Sequence, residues 1–449
     1  MIQQVIGAMG SFLWGPPMLG VFLFTGAYLT LRSRGFPWRR FGLWNKLTFG
    51  SLFQAKKSSD AHSISQWQAL TSGLAACLGT GNIVGVATAL SLGGPGAIFW
   101  MFVSAALGTM TICAENILGI KYRKRLANGD WMGGPMGYLA HGLGAKTMAG
   151  VYAALLGLAA FGIGNMTQAN AMAEAAAQSL HIPPWVTGVV VAALVGLVIF
   201  GGVKRIGRMT EFLVPIMTGL FMVASVIVLV AHRGALPGTL NLIMREAFAV
   251  SSIAGGAAGF GIKKALRYGI ARGVFSNEAG LGSSAVIHAA ADVKDPALQG
   301  MWGIAEVFID TLLLCTVTAL VFLSSGAFDS GLTGVCMASA AFASVFGDWG
   351  THFVSLSIAL FAFATLAGWS YFGEQGARWL FGEKSQRPYR VLYLAAIVVG
   401  CVMKLETVWA VADIFNGLMA IPNLLGVLLL GGQAIRELRR FEQKLRLTY

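Results

Sequence analysis

The sequence predicts an all-α polytopic membrane protein of about eleven transmembrane helices, arranged as two five-helix inverted repeats behind one extra N-terminal helix. Three observations predict it. Of 449 residues, 56% are hydrophobic and only 11% are charged, whereas an ordinary soluble domain is about 25% charged. The apolar residues gather into a train of segments, most of them close to the roughly 20 residues a helix needs to cross a bilayer. Two of these segments, five helices apart, are interrupted by glycine and polar residues.

The candidate spans are 11-31, 69-92, 96-120, 147-178, 185-202, 210-231, 262-291, 299-323, 351-376, 389-404 and 407-431. The first is followed by Arg32, Arg34, Arg39 and Arg40 and lacks a positive head and a small-residue cleavage site, so it reads as a retained helix and not a signal peptide. The tract 32-68, with "RSRGFPWRRF", reads as an interfacial connection. With the N-terminus outside, the loops at 32-68, 121-146, 203-209, 288-298, 378-390 and 432-449 are cytoplasmic and hold 25 of the 32 Lys and Arg residues. That bias predicts N-out, C-in. The exceptions concentrate in 233-272, where Arg245-Glu246 and the run "GGAAGFG" suggest an amphipathic or re-entrant piece before the seventh span. The units expected are therefore 1-68, a first repeat at 69-231, a second at 232-431, and a basic cytoplasmic tail at 432-449. No soluble domain is visible.

The net charge of +13 would suggest nucleic acid in a soluble protein. Here the basic residues fall between apolar segments, where they orient the chain against lipid. The five cysteines (Cys77, Cys113, Cys315, Cys336 and Cys401) show no CxxC spacing, so neither a disulfide framework nor a zinc site is expected. No cofactor is called for. "GTGNIVG" is one residue off a dinucleotide fingerprint and has no strand before it; "GFGIKK" lacks the end of a phosphate loop. Catalytic serine motifs and HExxH are absent, which argues against an enzyme.

The second span holds Gly73, Gly79, Gly81 and Gly85; the seventh holds "RGVFSNEAGLGSS". In lipid, unwound backbone is tolerated only where protein or a watery cavity satisfies the freed NH and CO groups. Two such spans imply one enclosed polar site. Because they lie an odd number of crossings apart, the second unit is inverted relative to the first. Breaking a helix frees NH groups that attract a carboxylate and carbonyls that ligate a cation. Glycine permits the break, and Thr80 and Asn82 can hold it or line the pocket.

At these residues the sequence resembles a known family. "ALTSGLAACLGTGNIVGVATALSLGGPGAIFWMF", "GNMTQAN", "ARGVFSNEAGLGSS" followed by "HAAA", and "FAFATLAGWSYFGE" are similar to the alanine or glycine:cation symporter family, over about residues 65-430. The resemblance implies a leucine-transporter-like five-plus-five inverted repeat of the amino acid-polyamine-organocation superfamily. It implies sodium-coupled import of alanine, glycine and also serine across a bacterial or archaeal plasma membrane, with no obligate protein partner.

Carried over residue by residue, the resemblance assigns substrate binding to Thr80, Gly81 and Asn82 on the second span and to Asn165 and Gln168 on the fourth. It adds Phe275, Ser276, Asn277 and Gly280 at the seventh-span break, and Thr365 and Trp369 on the ninth. The sodium ligands it implies are the carbonyls of Ala75 and Leu78 and the hydroxyl of Thr365. Family members commonly carry Ser-Thr where this chain has Ala364-Thr365, so the ion has one potential ligand fewer.

Other readings stay open. Glu278 is either an ion or proton site, which would make transport proton-coupled, or a brace for the unwound segment. Glu306 and Asp310, an i,i+4 acidic pair on the eighth span, either relay protons or, as expected, cap or pair with basic residues near the membrane boundary. His288 is expected to be structural. A non-transporting membrane sensor of the same fold is the remaining alternative.

Overall fold

Backbone in hydrocarbon has to satisfy its own hydrogen bonds, and for segments of this composition the helix does so. The computed structural model describes residues 9–10, 12–54, 60, 62–249 and 261–448. Helix α1 spans Pro16–Arg32 and is followed by two short helices, α2 at Phe36–Arg39 and α3 at Phe41–Leu47. The second predicted span is two helices, α4 (Gln66–Cys77) and α5 (Val84–Gly93). Ser65 starts α4 with a capping box: its hydroxyl accepts the Gln68 amide at 3.1 Å and its own amide donates to the Gln68 side chain at 3.2 Å. Next come α6 (Gly96–Lys121), the two-residue strands β1 (Lys124–Arg125) and β2 (Trp131–Met132), and α7 (Lys146–Leu180), which carries a π-helical turn at Gly162–Met166. Helices α8 (Pro184–Ile199) and α9 (Gly202–Ala231) complete the first half.

The second half starts with the amphipathic helix α10 (Leu236–Ala247); of the run "GGAAGFG", all but Gly261 lies outside the described residues. The seventh predicted span is α11 (Ile262–Asn277) and the five-residue α12 (Ser284–His288), separated by an unwound stretch. After them come α13 (Pro296–Ser324, π-helical at Phe308–Cys315), α14 (Gly334–Phe346), α15 (Asp348–Phe381), α16 (Gln386–Val402) and α17 (Leu405–Thr448). Helix thus occupies each predicted stretch, and among the described residues six helices are long and apolar enough to cross a membrane.

Two elements differ from the sequence reading. Helix α14 lies in a stretch with no assigned helix, packed on α15, α5 and α9. The basic tail is the continuation of α17, a 44-residue helix that at 1.5 Å per residue is about 66 Å long, roughly twice the hydrocarbon thickness.

At the centre, α6 runs along both α11 and α13, while α7 packs on α15 and α17. Small residues let these helices approach. A Cβ on Gly269 would lie 2.3 Å from the Ala97 carbonyl oxygen, and one on Gly376 would lie 2.5 Å from that of Ala153. Close approach brings α4, α11, α13 and α15 together around the two breaks.

Candidate functional site at the two helix breaks

The break between α4 and α5 is shaped by what replaces its lost helical bonds. Leu78 leaves the helix at φ −73°, ψ 77°, Gly79 is extended, and Thr80–Asn82 makes one tight turn. Two amides released here are met by side chains. The Asn82 carboxamide oxygen accepts from the Gly79 N–H at 3.1 Å, and the Gln168 oxygen accepts from the Thr80 N–H at 3.0 Å. Gly79 has to be glycine for space. A Cβ there would sit 2.6 Å from Thr365 Oγ1 and 2.8 Å from Gln168 Oε1.

On the other side of the break, carbonyls are freed. The Thr365 hydroxyl lies 2.8 Å from the Ala75 oxygen and 3.4 Å from the Leu78 oxygen, and it also donates to Phe361 O at 3.1 Å. Three uncharged hard oxygens therefore converge between α4 and α15, the donor type that suits a hard monovalent or divalent cation and not a thiophilic metal. Ala364 is fully buried beside them and brings no hydroxyl. Among the described residues there is no cluster of His, Cys, Asp and Glu suited to a transition metal.

The second break is built around Glu278, which takes the left-handed conformation at φ 58° and closes α11 through its amide to Val274 O at 2.9 Å. Gly280 (φ 95°) and Gly282 (φ 76°) follow in backbone conformations that side chains rarely adopt. The Glu278 carboxylate accepts from the Trp369 indole N–H at 2.8 Å and from the Ser283 hydroxyl. It therefore ties the unwound segment to α15, as a brace does.

The expected site residues divide into two groups. Asn82 and Ser276 meet at the Asp310 carboxylate, Asn82 at 2.7 Å and Ser276 at 2.9 Å, with Thr311 alongside. A Cβ on Gly81 would touch Ser276 and Phe275 at 3.5 and 3.6 Å, so the two breaks face each other directly. Thr80, Gln168, Thr365, Ala75 and Leu78 form the adjoining cluster already described. Phe275 stacks on Trp409 with ring centroids 4.8 Å apart, and Asn277 turns back on the Ala279 amide at 3.0 Å. Two residues point elsewhere. Asn165 donates to Tyr393 O on α16 at 2.7 Å, and Gly280 is wedged against Phe22 and Leu424.

Glu306 and Asp310 require a correction. Both are fully buried, and among the described residues neither has a Lys or Arg partner. Asp310 faces Asn82 and Ser276, as above. Glu306 accepts from Ser284 at 2.7 Å and pairs with His288 at 3.1 Å, with the Cys77 thiol at 3.3 Å. Their i,i+4 spacing gives them one helix face but carries no information on depth. His288 is indeed held within this network.

Sequence reasoning passed over three contributors. Glu115 on α6 accepts from the Gly280 amide at 3.1 Å and, with Asn423 on α17, fixes the second break. Arg272, at the end of the basic stretch 233-272, is 9% exposed, pairs with Asp413 at 2.6 Å and lies over the rings of Phe275 and Trp409. An acid within the apolar run "TICAENILG" was a usable signal for Glu115; the Arg272 pair is 141 residues apart and had none.

Known proteins share this arrangement of sequence. Residues 1–448 match the family described as the sodium:alanine symporter family. The chain is 41% identical to the sodium/alanine symporter AgcS of Methanococcus maripaludis, over 98% of this chain and 97% of that protein. It is 36% identical to the Bacillus subtilis protein named "Probable sodium/glutamine symporter GlnT", over 99% of this chain and 91% of that one. Among solved structures, a Na+-coupled sialic acid symporter superposes with a TM-score of 0.51 at 13% identity, covering 96% of this chain and 86% of its own. That last likeness concerns the fold alone.

Proposed function

Because the chain belongs to the sodium:alanine symporter family, we propose that it imports small neutral amino acids, alanine and glycine and also serine, together with sodium by alternating access. It is a multi-pass membrane transporter coupled to sodium and not an enzyme. The observation that carries the finer reading is the convergence of the Ala75 and Leu78 carbonyls on the Thr365 hydroxyl at the α4 break. A sodium ion bound there would be held by α4 and α15 at once. It would therefore favour the state in which these helices are together, which is how a coupling ion shifts a transporter's equilibrium.

The substrate reading follows from the neighbouring amides. The Thr80 N–H is capped by Gln168 at 3.0 Å in this structure. An arriving carboxylate takes over that amide and the Gly81 N–H, and the released Gln168 oxygen becomes an acceptor for the substrate ammonium. Phe275 and the Trp369 ring bound the remaining space, which favours a methyl-sized side chain. A charged side chain would be desolvated without a partner. Glu278 is engaged by Trp369 and Ser283, which supports sodium coupling over proton coupling through that carboxylate.

The opposed breaks of α4/α5 and α11/α12 support reading 69-231 and 232-431 as inverted repeats, and the Lys and Arg bias supports an N-out, C-in orientation. The test of specificity is competition. Labelled alanine taken up into proteoliposomes should be displaced by unlabelled alanine, glycine and serine, and not by leucine or glutamine. Displacement by glutamine as strong as by alanine would overturn the size argument.

A further inference from the structure

A cluster of arginines outside the helix breaks has no role in the reading above. At the end of α1 the chain turns through Arg34 (φ 57°) and Gly35 (φ 64°), and Arg39 of α2 reaches Glu442 of α17 at 3.8 Å. Between them lies a cavity of about 260 Å³ lined by Arg34, Arg39, Arg439 and Glu442 over Ile435 and Leu438. Its charges do not balance. Glu442 is shared by Arg40 at 2.8 Å and Arg39 at 3.8 Å. Arg439 donates to the Arg32 carbonyl at 2.7 Å, and among the described residues neither it nor Arg34 has an acidic partner. Three guanidinium groups, those of Arg34, Arg39 and Arg439, thus line the cavity with one carboxylate, which Arg40 also engages.

Elsewhere along α17, Arg440 meets Glu437 at 3.6 Å beside Lys121 of α6 at 2.7 Å, and Lys444 meets Asp295 at 3.5 Å. The setting of the cavity says what would neutralise its excess charge. Leu31 is 79% exposed, Trp38 45% and Phe41 41%, an apolar and aromatic fringe of the kind that sits where hydrocarbon meets headgroups. A guanidinium presents a planar fork of donors matched to phosphate oxygens.

We propose that this cavity binds the phosphodiester headgroup of an anionic phospholipid, with Arg34, Arg39 and Arg439 on the phosphate and the acyl chains running down past Leu31 and Trp38. The site depends neither on the transport reading nor on which end of the helices faces the cytoplasm, since either leaflet supplies a phosphodiester. Glu442, beside Arg39 and Arg40, opposes a bound phosphate by its charge.

The experiment uses the full-length protein in a nonionic detergent. Binding of dioctanoyl phosphatidylglycerol, dioctanoyl phosphatidylcholine and inorganic phosphate is measured by native mass spectrometry and by the shift in thermal unfolding. Phosphatidylglycerol should bind saturably, and phosphatidylcholine and phosphate at the same concentration should not. Removing a basic residue near an anionic lipid weakens association roughly fivefold, so the Arg34→Gln, Arg439→Gln double variant should bind about 25-fold more weakly. Glu442→Gln should bind several-fold more tightly, a gain that a misfolded protein cannot give. Undiminished phosphatidylglycerol binding by the double variant would overturn the proposal. So would unchanged or weaker binding by Glu442→Gln, or inorganic phosphate binding as well as the lipid.

Discussion

Replacing Gly79 by alanine adds one methyl group at the point where the proposed ion and substrate clusters touch. The backbone there is extended at φ −125°, so alanine is not excluded conformationally. Space excludes it. The new Cβ would lie 2.6 Å from Thr365 Oγ1 and 2.8 Å from Gln168 Oε1, both closer than carbon and oxygen tolerate. Neither neighbour is free to yield, because Thr365 is bonded to Ala75 O and Phe361 O and Gln168 to the Thr80 amide and Ile163 O. Overpacking of this kind costs about 1–3 kcal/mol. The Thr365 hydroxyl is the oxygen displaced, so the cost should fall on sodium; about 2 kcal/mol corresponds to about thirtyfold in affinity, at about 1.4 kcal/mol per tenfold. Alanine uptake into proteoliposomes, measured against sodium concentration, should require about thirtyfold more sodium for the half-maximal rate. Gly85→Ala is the control: nothing lies within 4 Å of its Cβ, and uptake should be unchanged. A Gly79→Ala protein with wild-type sodium dependence would refute the placement of the ion.

Three further outcomes follow from the same geometry. Thr365→Ala should raise the sodium concentration needed for half-maximal uptake, and Ala364→Ser should lower it or leave it unchanged, as sodium titrations of the two variants will show. Trp369→Phe removes the indole N–H that Glu278 accepts at 2.8 Å and frees space beside the substrate. The alanine-over-valine preference in competition assays should therefore fall, and an unaltered preference in a folded, sodium-dependent variant would remove Trp369 from the pocket. Glu306→Ala leaves His288, Ser284 and Cys77 without their shared acceptor in a fully buried place. It should cost about 1–3 kcal/mol for the donors left unpaired, read as a drop in the unfolding temperature in detergent, whereas Arg387→Ala on the exposed start of α16 should leave it unchanged.

The helix breaks were legible because glycine, threonine and asparagine are costly inside an apolar run unless they serve something. The same logic would have found Glu115, whose carboxylate sits within α6. Depth was what the sequence left open. Glu306 and Asp310 could be assigned to one face of a helix by spacing, but whether that face met lipid headgroups or the molecular centre depended on α4, α11 and α12, more than 200 residues away along the chain in the first case. The Arg272 pair was illegible for the same reason, since its partner Asp413 arrives on the last helix. Helix α14 went unassigned because its 13 residues are too few to span. It is held by packing on α15, a tertiary contact that no local pattern announces.

The most direct measurement is uptake of labelled alanine into proteoliposomes of the purified protein under one imposed gradient at a time. An inward sodium gradient at equal pH should drive accumulation above equilibrium, and an inward proton gradient without sodium should not. Accumulation driven by protons alone, with no response to sodium, would contradict the account and return Glu278 to the place now given to Ala75, Leu78 and Thr365.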